Sequence, residues 1–459
     1  MTESRGGWDM TEGTGLTRET FTSRLGLVAT MIGVAVGLGN VWRFPYMVGR
    51  FGGAAFVLVY LLLALLIGIP ALMAEWSLGR HTRRGSVGAF AQAGLPAGQT
   101  LGWFFFFAVT AANGYYSTAI GWVLYHGVAE AAALVGMPFD PSGVLPPEAG
   151  FSPKSLGLQL LCTSTVVLAC VVVLVRGLRS GIERASSVIT PLLFVILVIL
   201  VVRGLTLPGA AEGVRWFLLK FELSDLNAAV VLAALGQVVF SLALGGTFMV
   251  VYGSYLNDSD ALGSNAILTV LGDTGAGILA GLAIFPAVFA LGLEPGSGPG
   301  LIFATLPQVF AGMPAGHVFG VLFFVALGSA AYLSAVAAFE VLVAGLTDNT
   351  DMSRSRAVWI VAGSVVLLAV PPMINLKIFI PWDLTFGTGF QTVGALAAAV
   401  TVGWALHRGE ALKQLGGDSA DSTTFRLLYL WIRYAVPGAI LAVGIWWLLT
   451  EVLGVVGGA

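Results

Sequence analysis

The chain has 459 residues, of which 57% are hydrophobic and only 10% are Asp, Glu, Lys or Arg. Soluble domains carry roughly 25% charged residues, so this composition, with a mean hydropathy of +0.91, excludes a soluble globular protein and indicates an all-α polytopic membrane protein. The formal net charge of −2 gives no reason to expect a nucleic-acid partner.

Apolar windows of about twenty residues, the length that crosses a bilayer, predict eleven transmembrane helices. They cover residues 25–48, 54–79, 99–133, 155–175, 182–203, 227–256, 262–293, 316–347, 356–372, 378–407 and 425–452. The polar residues 1–24 are predicted to form a cytoplasmic tail. Basic residues in the loops after spans two and four predict that these loops, and the N-terminus, lie on the cytoplasmic side of the inner (plasma) membrane; they are Arg80, Arg83, Arg84, Arg176, Arg179 and Arg184.

Two of the spans contain segments that disfavour a continuous helix: VGLGN at 36–40 and SLALGGT at 241–247. They stand five spans apart, so they occupy the same place in two successive five-span blocks, and the odd number makes the second block inverted. The prediction is a first repeat over 25–208, a second over 209–408, and a cytoplasmic loop with the eleventh span over 409–459. Paired broken helices in inverted repeats are typical of secondary transporters that bind their substrate at the breaks.

A break in a membrane helix releases backbone groups that must find other partners, because each unsatisfied group costs several kcal/mol in hydrocarbon. Free N–H groups at a half-helix N-terminus suit a carboxylate, and free carbonyls suit an ammonium or a sodium ion. An α-amino acid carries both charges. A simple glycine kink packed by its neighbours is the alternative, but two breaks in matching repeats favour a binding site.

Asp273 is a carboxylate inside the seventh span, where it costs on the order of 2.5–3.5 kcal/mol by insertion scales. A charge at that position requires a compensating partner. We therefore expect Asp273 to bind a cation.

Several motifs together resemble the neurotransmitter:sodium symporter family, in its bacterial amino-acid transporter branch. They are VGLGNVWRFPY (36–46), EWSLGR (75–80), YY (115–116), RSGIERAS (179–186), GQVVFSLALGG (236–246) and YGSY (252–255). The resemblance covers nearly the whole chain. It implies a five-plus-five inverted-repeat bundle, with helices one and six broken, that moves amino acids or amines with sodium.

The same resemblance implies the residues that bind substrate. The carboxylate would meet the N–H groups of Leu38 and Gly39 and the hydroxyl of Tyr116, and the amine would meet carbonyls of Ala35, Phe240 and Ser241. The side-chain pocket would be lined by Ala112, Asn113, Ala243, Gly246, Ser334, Ala337 and Ala338.

Gly246 stands where relatives often place Phe or Met. The pocket should therefore be roomy and favour a large hydrophobic or aromatic amino acid, unless bulky neighbours refill the space. Val34 stands where amine-transporting members carry Asp, which argues against monoamines.

Two sodium sites are implied. The first would use the Ala35 carbonyl, Asn40, Ser241 and Asp273, all hard oxygen donors. The second would use Gly33, Val36, Ala330 and Ser334, but Leu333 stands where the family has an oxygen-bearing side chain, so one ligand is missing. The family commonly has Asn at position 273 and a chloride-binding Ser at position 277; this chain has Asp273 and Gly277, so we expect no chloride requirement.

Two gates are also implied, each built on an ion pair. Arg43 and Asp383 would close the outer side, and Arg18 and Asp348 would close the inner side, with Ser254 and Tyr255 nearby. The two pairs should break alternately as access alternates.

The sequence therefore predicts a sodium-coupled amino-acid symporter that resides in the lipid bilayer as a monomer or homodimer. A proton-coupled transporter of the same fold, with Asp273 titrating, is one alternative, and a non-transporting amino-acid sensor is another. An enzyme is not expected, because no His, Cys or paired-carboxylate constellation of a catalytic site is present.

Overall fold

A computed structural model describes residues 18–295 and 301–453, and every regular element in those ranges is helical. The main helices are α1 Arg24–Ala35, α2 Gly39–Phe51, α3 Ala54–Thr82, α4 Gly98–Leu134, α5 Pro153–Leu174, α6 Leu178–Leu205, α7 Ala228–Ser241, α8 Phe248–Gly253, α9 Leu262–Ala290, α10 Ile302–Gly312, α11 Gly316–Thr347, α12 Arg354–Ile374, α13 Leu376–Ala405 and α14 Thr423–Thr450. Short helical segments join them at Ala89–Gln92, Pro141–Val144, Ala210–Val214, Arg215–Leu219, Leu223–Asp225, Arg408–Gly416 and Gly417–Ser419. Residues 1–17 of the predicted tail and 454–459 of the predicted last segment lie outside the described ranges.

Eight helices of the described chain are long and apolar enough to cross a membrane, and the bent pair α1–α2 makes a ninth. The eleven predicted spans also include α4 and the pair α7–α8, which lie where the third and sixth spans were expected. The polytopic all-helical fold is confirmed, whereas the count of eleven and the division at residues 208 and 408 stay predictions.

The first break lies between α1 and α2. Ser23 caps α1 by accepting a hydrogen bond from the Gly26 N–H at 3.0 Å. After Ala35 the backbone becomes extended at Val36 (φ −71°, ψ 115°), and α2 resumes at Gly39 with its axis bent by 55°. The break therefore coincides with the VGLGN segment.

The second break, between α7 and α8, is held by residues in the left-handed region of backbone conformation. Ala243 and Thr247 have φ of 50° and 58°, and Gly245 has φ of 83°. Left-handed backbone costs a residue with a Cβ about 1–2 kcal/mol. Such conformations persist only where surrounding contacts enforce them, and they cluster at binding sites.

The helices α4 and α11 show the repeat in their local structure as well as their order. Each follows an alanine with left-handed backbone, Ala97 (φ 55°) and Ala315 (φ 58°). Each also begins with the same spacing of two glycines and two phenylalanines, GQTLGWFFFF from 98 and GHVFGVLFFV from 316. The two helices pack along each other.

Candidate functional site

Side chains of other helices form hydrogen bonds with the backbone at the first break. The Leu38 N–H donates to the Tyr116 hydroxyl on α4 at 3.2 Å. The Gly39 carbonyl accepts from Gln237 Nε2 on α7 at 2.9 Å. The Leu38 N–H and the Tyr116 hydroxyl, both predicted to bind the substrate carboxylate, therefore lie side by side.

Glu75 on α3 supports the second break. Its Oε1 accepts a hydrogen bond from the Gly245 N–H at 2.7 Å, and the residue is only 2% exposed. A buried carboxylate thus replaces the helical partner that this N–H has lost.

A compact polar cluster joins the two breaks and contains three residues of the first predicted sodium site. Asn40 Nδ2 donates to Asp273 Oδ1 at 2.7 Å and to Ser241 Oγ at 2.9 Å. The Ser241 hydroxyl donates to Asp273 Oδ2 at 2.8 Å, and the Tyr60 hydroxyl donates to the same oxygen at 3.2 Å. Asp273 is fully buried, and Asn40, Ser241 and Tyr60 donate hydrogen bonds to its carboxylate.

The orientation of the Asn40 amide follows from its other neighbour. Asn40 Oδ1 accepts from the Gly37 N–H at 3.0 Å, so Nδ2 faces Asp273. The opposite orientation would place two donors against each other. Ala35, the fourth predicted ligand, is the last residue of α1 and lines the neighbouring cavity.

The second predicted sodium site has an apolar side chain next to one of its ligands. A Cβ built on Gly33 would lie 2.9 Å from Leu333 Cδ1 and 3.2 Å from Thr190 Oγ1, which places both side chains directly against Gly33. The Thr190 hydroxyl already donates to the Ala29 carbonyl at 3.0 Å. Of the other predicted ligands, Ser334 lies against Gly37 and lines the cavity, and Val36 and Ala330 are buried.

A cavity that is partly open to solvent lies between the breaks and α4, α11 and α13. Its lining includes most of the predicted substrate residues: Ala35, Gly39, Ala112, Asn113, Tyr116, Phe240, Ala243, Gly246, Ser334 and Ala338. Of the other predicted residues, Leu38 is buried beside Tyr116, Ser241 belongs to the polar cluster, and Ala337 is 1% exposed on α11 without lining the cavity.

The space beside Gly246 is filled, contrary to our expectation of a roomy pocket at this position. A Cβ built on Gly246 would lie 2.1 Å from Cε2 of Phe248, whose ring also lines the cavity. The left-handed turn at Thr247 places this ring there. The alternative, that a bulky neighbour refills the space, is therefore correct at this position.

The inner predicted gate is formed. Arg18 Nη1 lies 2.6 Å from Asp348 Oδ2, and its guanidinium carbon lies 4.8 Å from the centre of the Tyr255 ring. Asp348 Oδ2 also accepts the Gly85 N–H at 2.6 Å. The predicted inner residues are thus in mutual contact.

The outer predicted pair is apart. Arg43 and Asp383 do not form an ion pair within 4.0 Å in the described chain. The Arg43 guanidinium carbon instead lies 4.2 Å from the centre of the Phe240 ring, a cation–π contact. Asp383 Oδ1 and the Tyr115 hydroxyl both approach Gly387, at 2.8 and 2.2 Å from a Cβ built there.

Sequence reasoning missed several cavity residues, of which one group carried a signal. Phe105, Ala108 and Val109 continue the helical spacing of Ala112, Asn113 and Tyr116 along one face of α4. The first break also contributes Gly37, α4 contributes Tyr115, and the second break contributes Gly245 and Phe248. The remaining residues come from α13, where no pattern pointed to them: Phe386, Gly387, Phe390 and Gln391. Tyr60, which bonds Asp273, was also missed.

Comparison with known proteins extends over nearly the whole chain. The sequence profile of the Sodium:neurotransmitter symporter family matches residues 18–133 and 153–445. An uncharacterized sodium-dependent transporter of Bacillus subtilis is 34% identical over 438 residues, 92% of this chain and 96% of that protein. A Haemophilus influenzae protein of the same description is 33% identical over 454 residues, 93% and 97% of the two chains.

Among solved structures, MhsT in complex with L-phenylalanine is similar, with a TM-score of 0.80 and 35% identity. The match covers 93% of this chain and 99% of that one. The human sodium- and chloride-dependent creatine transporter 1 is more distant, at 29% identity over 387 residues, 72% of this chain and 60% of that protein.

Proposed function

The chain belongs to the sodium:neurotransmitter symporter family and is a sodium-dependent membrane transporter, and we propose that it imports a large hydrophobic or aromatic amino acid together with sodium. The observation that carries the proposal is the buried cluster of Asn40, Ser241 and Asp273, which joins both breaks beside the cavity. A sodium ion in this cluster and an amino-acid substrate in the cavity would both contact the backbone of the two breaks.

Sodium would replace the Asn40 amide as the partner of the Asp273 carboxylate. Its ligands would be the Asp273 carboxylate, the Ser241 hydroxyl, the Asn40 amide oxygen and the Ala35 carbonyl, a set of hard oxygens that suits a small hard cation. Ala35 and Asn40 border the break at 36–38, so the ion would order the segment that binds the substrate. Because the same segment contacts both, sodium binding would favour substrate binding, and this explains how the two are coupled.

The substrate's charged end would lie at the first break. A carboxylate placed between the Leu38 N–H and the Tyr116 hydroxyl would accept from both of them. Gly37 leaves room for this approach, since a Cβ there would lie 2.7 Å from the Tyr116 hydroxyl. The rest of the cavity is mainly apolar and aromatic, which supports an apolar or aromatic side chain, as in the L-phenylalanine bound to MhsT.

Chloride independence is part of the proposal. Asp273 supplies fixed negative charge beside the ion, and the hydroxyls of Tyr60 and Ser241 are directed at it. Donors that an anion would need are therefore engaged by the carboxylate. Position 277 offers no hydroxyl, and Gly277 instead packs against the Phe44 ring.

We also propose that one sodium ion is transported with each substrate. Leu333 lies against Gly33, where the second ion would need an oxygen. An apolar side chain at that position both removes a ligand and excludes the water that might replace it.

The gates support an alternating-access cycle. The inner pair Arg18–Asp348 is formed while Arg43 and Asp383 are apart, which is the state expected when the inner side is closed. We propose that substrate binding brings the outer pair together and that the inner pair then separates.

Uptake into proteoliposomes tests the proposal. Labelled tryptophan, phenylalanine and leucine should accumulate when external sodium exceeds internal sodium, and accumulation should be lost when choline replaces sodium at constant pH. Replacing chloride by gluconate should change little. Uptake driven by a proton gradient without sodium would favour the proton-coupled alternative, and binding without counterflow would favour a sensor.

A further inference from the structure

Two residues that line the cavity, Asn113 and Gln391, each have a buried amide atom without a hydrogen-bond partner in the described chain. Asn113 is 1% exposed, its Oδ1 accepts from the Ser117 hydroxyl at 3.4 Å, and its Nδ2 has no hydrogen-bond partner in the described chain. Gln391 lines the same cavity, and its buried Oε1 also has no partner there. An unpaired buried polar atom costs about 1–3 kcal/mol. Because both residues line the same cavity, a bound ligand is a candidate partner for these two atoms.

Gln391 is held in place by close backbone packing. A Cβ on Gly245 would lie 1.6 Å from the Gln391 carbonyl oxygen, and a Cβ on Gly394 would lie 1.7 Å from the Gly245 carbonyl oxygen. The backbone of α13 therefore rests directly on the second break. This contact fixes the backbone of Gln391 beside the second break.

Asn113 lies on α4 three residues before Tyr116, which is about 4.5 Å along the helix axis. A substrate carboxylate at Tyr116 thus has Asn113 one turn further along the same face. The residues Ala108 and Ala112 of that face are small and leave room for a large side chain.

Aromatic rings form the walls between these amides. The rings of Phe386 and Phe390 stack at 5.4 Å with 13° between their planes, and Phe105 and Phe248 line the cavity as well. Flat apolar walls suit a planar ring, and two amides among them suit a ring that carries a polar atom.

We propose that the substrate is an aromatic amino acid whose ring carries a hydrogen-bonding group, an indole N–H or a phenolic O–H, bound by Gln391 and Asn113. Gln391 Oε1 would accept from the indole or phenol, and Asn113 Nδ2 would donate to a phenol oxygen. Phenylalanine would leave both amides unpaired. A site built with polar groups discriminates against the analogue that lacks the partner. This inference rests on the proposed amino-acid transport.

Sodium-dependent binding to the full chain tests the inference, with affinity measured for L-tryptophan, L-tyrosine, L-phenylalanine and 1-methyl-tryptophan. We expect tryptophan or tyrosine to bind at least about tenfold tighter than phenylalanine, the equivalent of about 1.4 kcal/mol for one hydrogen bond. Methylation of the indole nitrogen should abolish the advantage of tryptophan. Equal or tighter binding of phenylalanine would overturn the inference, and this comparison needs no variant.

Two variants locate the discrimination. Gln391→Met and Asn113→Ala should each weaken tryptophan or tyrosine binding and leave phenylalanine within about twofold, because only the polar partner is lost. Gln92→Met, at an exposed site, is the matched control. An equal loss for all ligands would mean that the amides are structural and would refute the assignment. Absence of binding by every amino acid would instead refute the proposed function.

Discussion

The two predicted ion sites differ in their side chains although both lie along α1 and its break. At the first, Asn40, Ser241 and Tyr60 all direct donors to Asp273 or to each other. At the second, Leu333 packs on Gly33, and the one hydroxyl beside it, that of Thr190, is engaged by the Ala29 carbonyl.

The difference between the two predicted sites indicates that a break in a helix does not by itself specify an ion site. Carbonyls released near residues 33–36 are available to either site. A neighbouring carboxylate makes the first position favourable for a cation, whereas a neighbouring leucine makes the second unfavourable, because an ion there would lose part of its hydration without replacement.

The largest effect is expected from removing the charge of the first site. Asp273→Asn should weaken sodium binding by about 100-fold or more, since loss of one partner of a buried charge pair costs about 3–5 kcal/mol. Sodium-dependent thermal stabilisation measures this effect. Asp421→Asn, at a side chain that is 97% exposed, is the control. Unchanged sodium affinity would show that Asp273 does not contact the ion.

A second substitution should restore function in an altered form. Adding Gly277→Ser to Asp273→Asn supplies a hydroxyl in place of the lost charge, so uptake should rise about tenfold when chloride replaces gluconate, because the anion restores the local charge. The new side chain must fit against Phe44, whose Cδ1 lies 3.3 Å from a Cβ built at 277. A chloride response in the unmodified chain would contradict this reasoning.

A smaller loss is expected from Tyr60→Phe. This change removes one hydrogen bond that orients the carboxylate, worth about 1.5 kcal/mol for a charged acceptor, and should weaken sodium binding by about tenfold. Tyr434→Phe, at an exposed side chain on α14, provides the comparison. If Tyr60→Phe abolished sodium binding as fully as Asp273→Asn, Tyr60 would be a structural requirement.

Leu333→Ser is expected to change the transport rate least. It should, however, change the number of sodium ions transported with each substrate. The hydroxyl supplies the missing ligand, so the Hill coefficient for sodium should increase from about 1 to about 2 as a second oxygen-lined site forms. Leu333→Ala removes the same apolar contact without adding oxygen and should stay near the unmodified value. A Hill coefficient of about 2 in the unmodified chain would refute the single-ion proposal.

The motif residues could be predicted because their chemistry is local to short segments. The glycines and Asn40 mark the first break, and an acidic residue in an apolar span, Asp273, requires compensation wherever the helix packs. The third member of the cluster, Ser241, was reached only through the family resemblance. Tyr60 and Gln391 escaped prediction, since their part in the site depends on how α3 and α13 are rotated against helices distant in the chain.

By itself, the sequence determined the membrane class, the two breaks and the buried charge, because hydropathy, backbone preference and the cost of burying a carboxylate act over short segments. Only the tertiary structure decided which side chains contact the segments around each break. It places Phe248 in the space beside Gly246 and Leu333 against Gly33. Those contacts depend on helix rotation and close packing between distant segments, which local patterns do not encode.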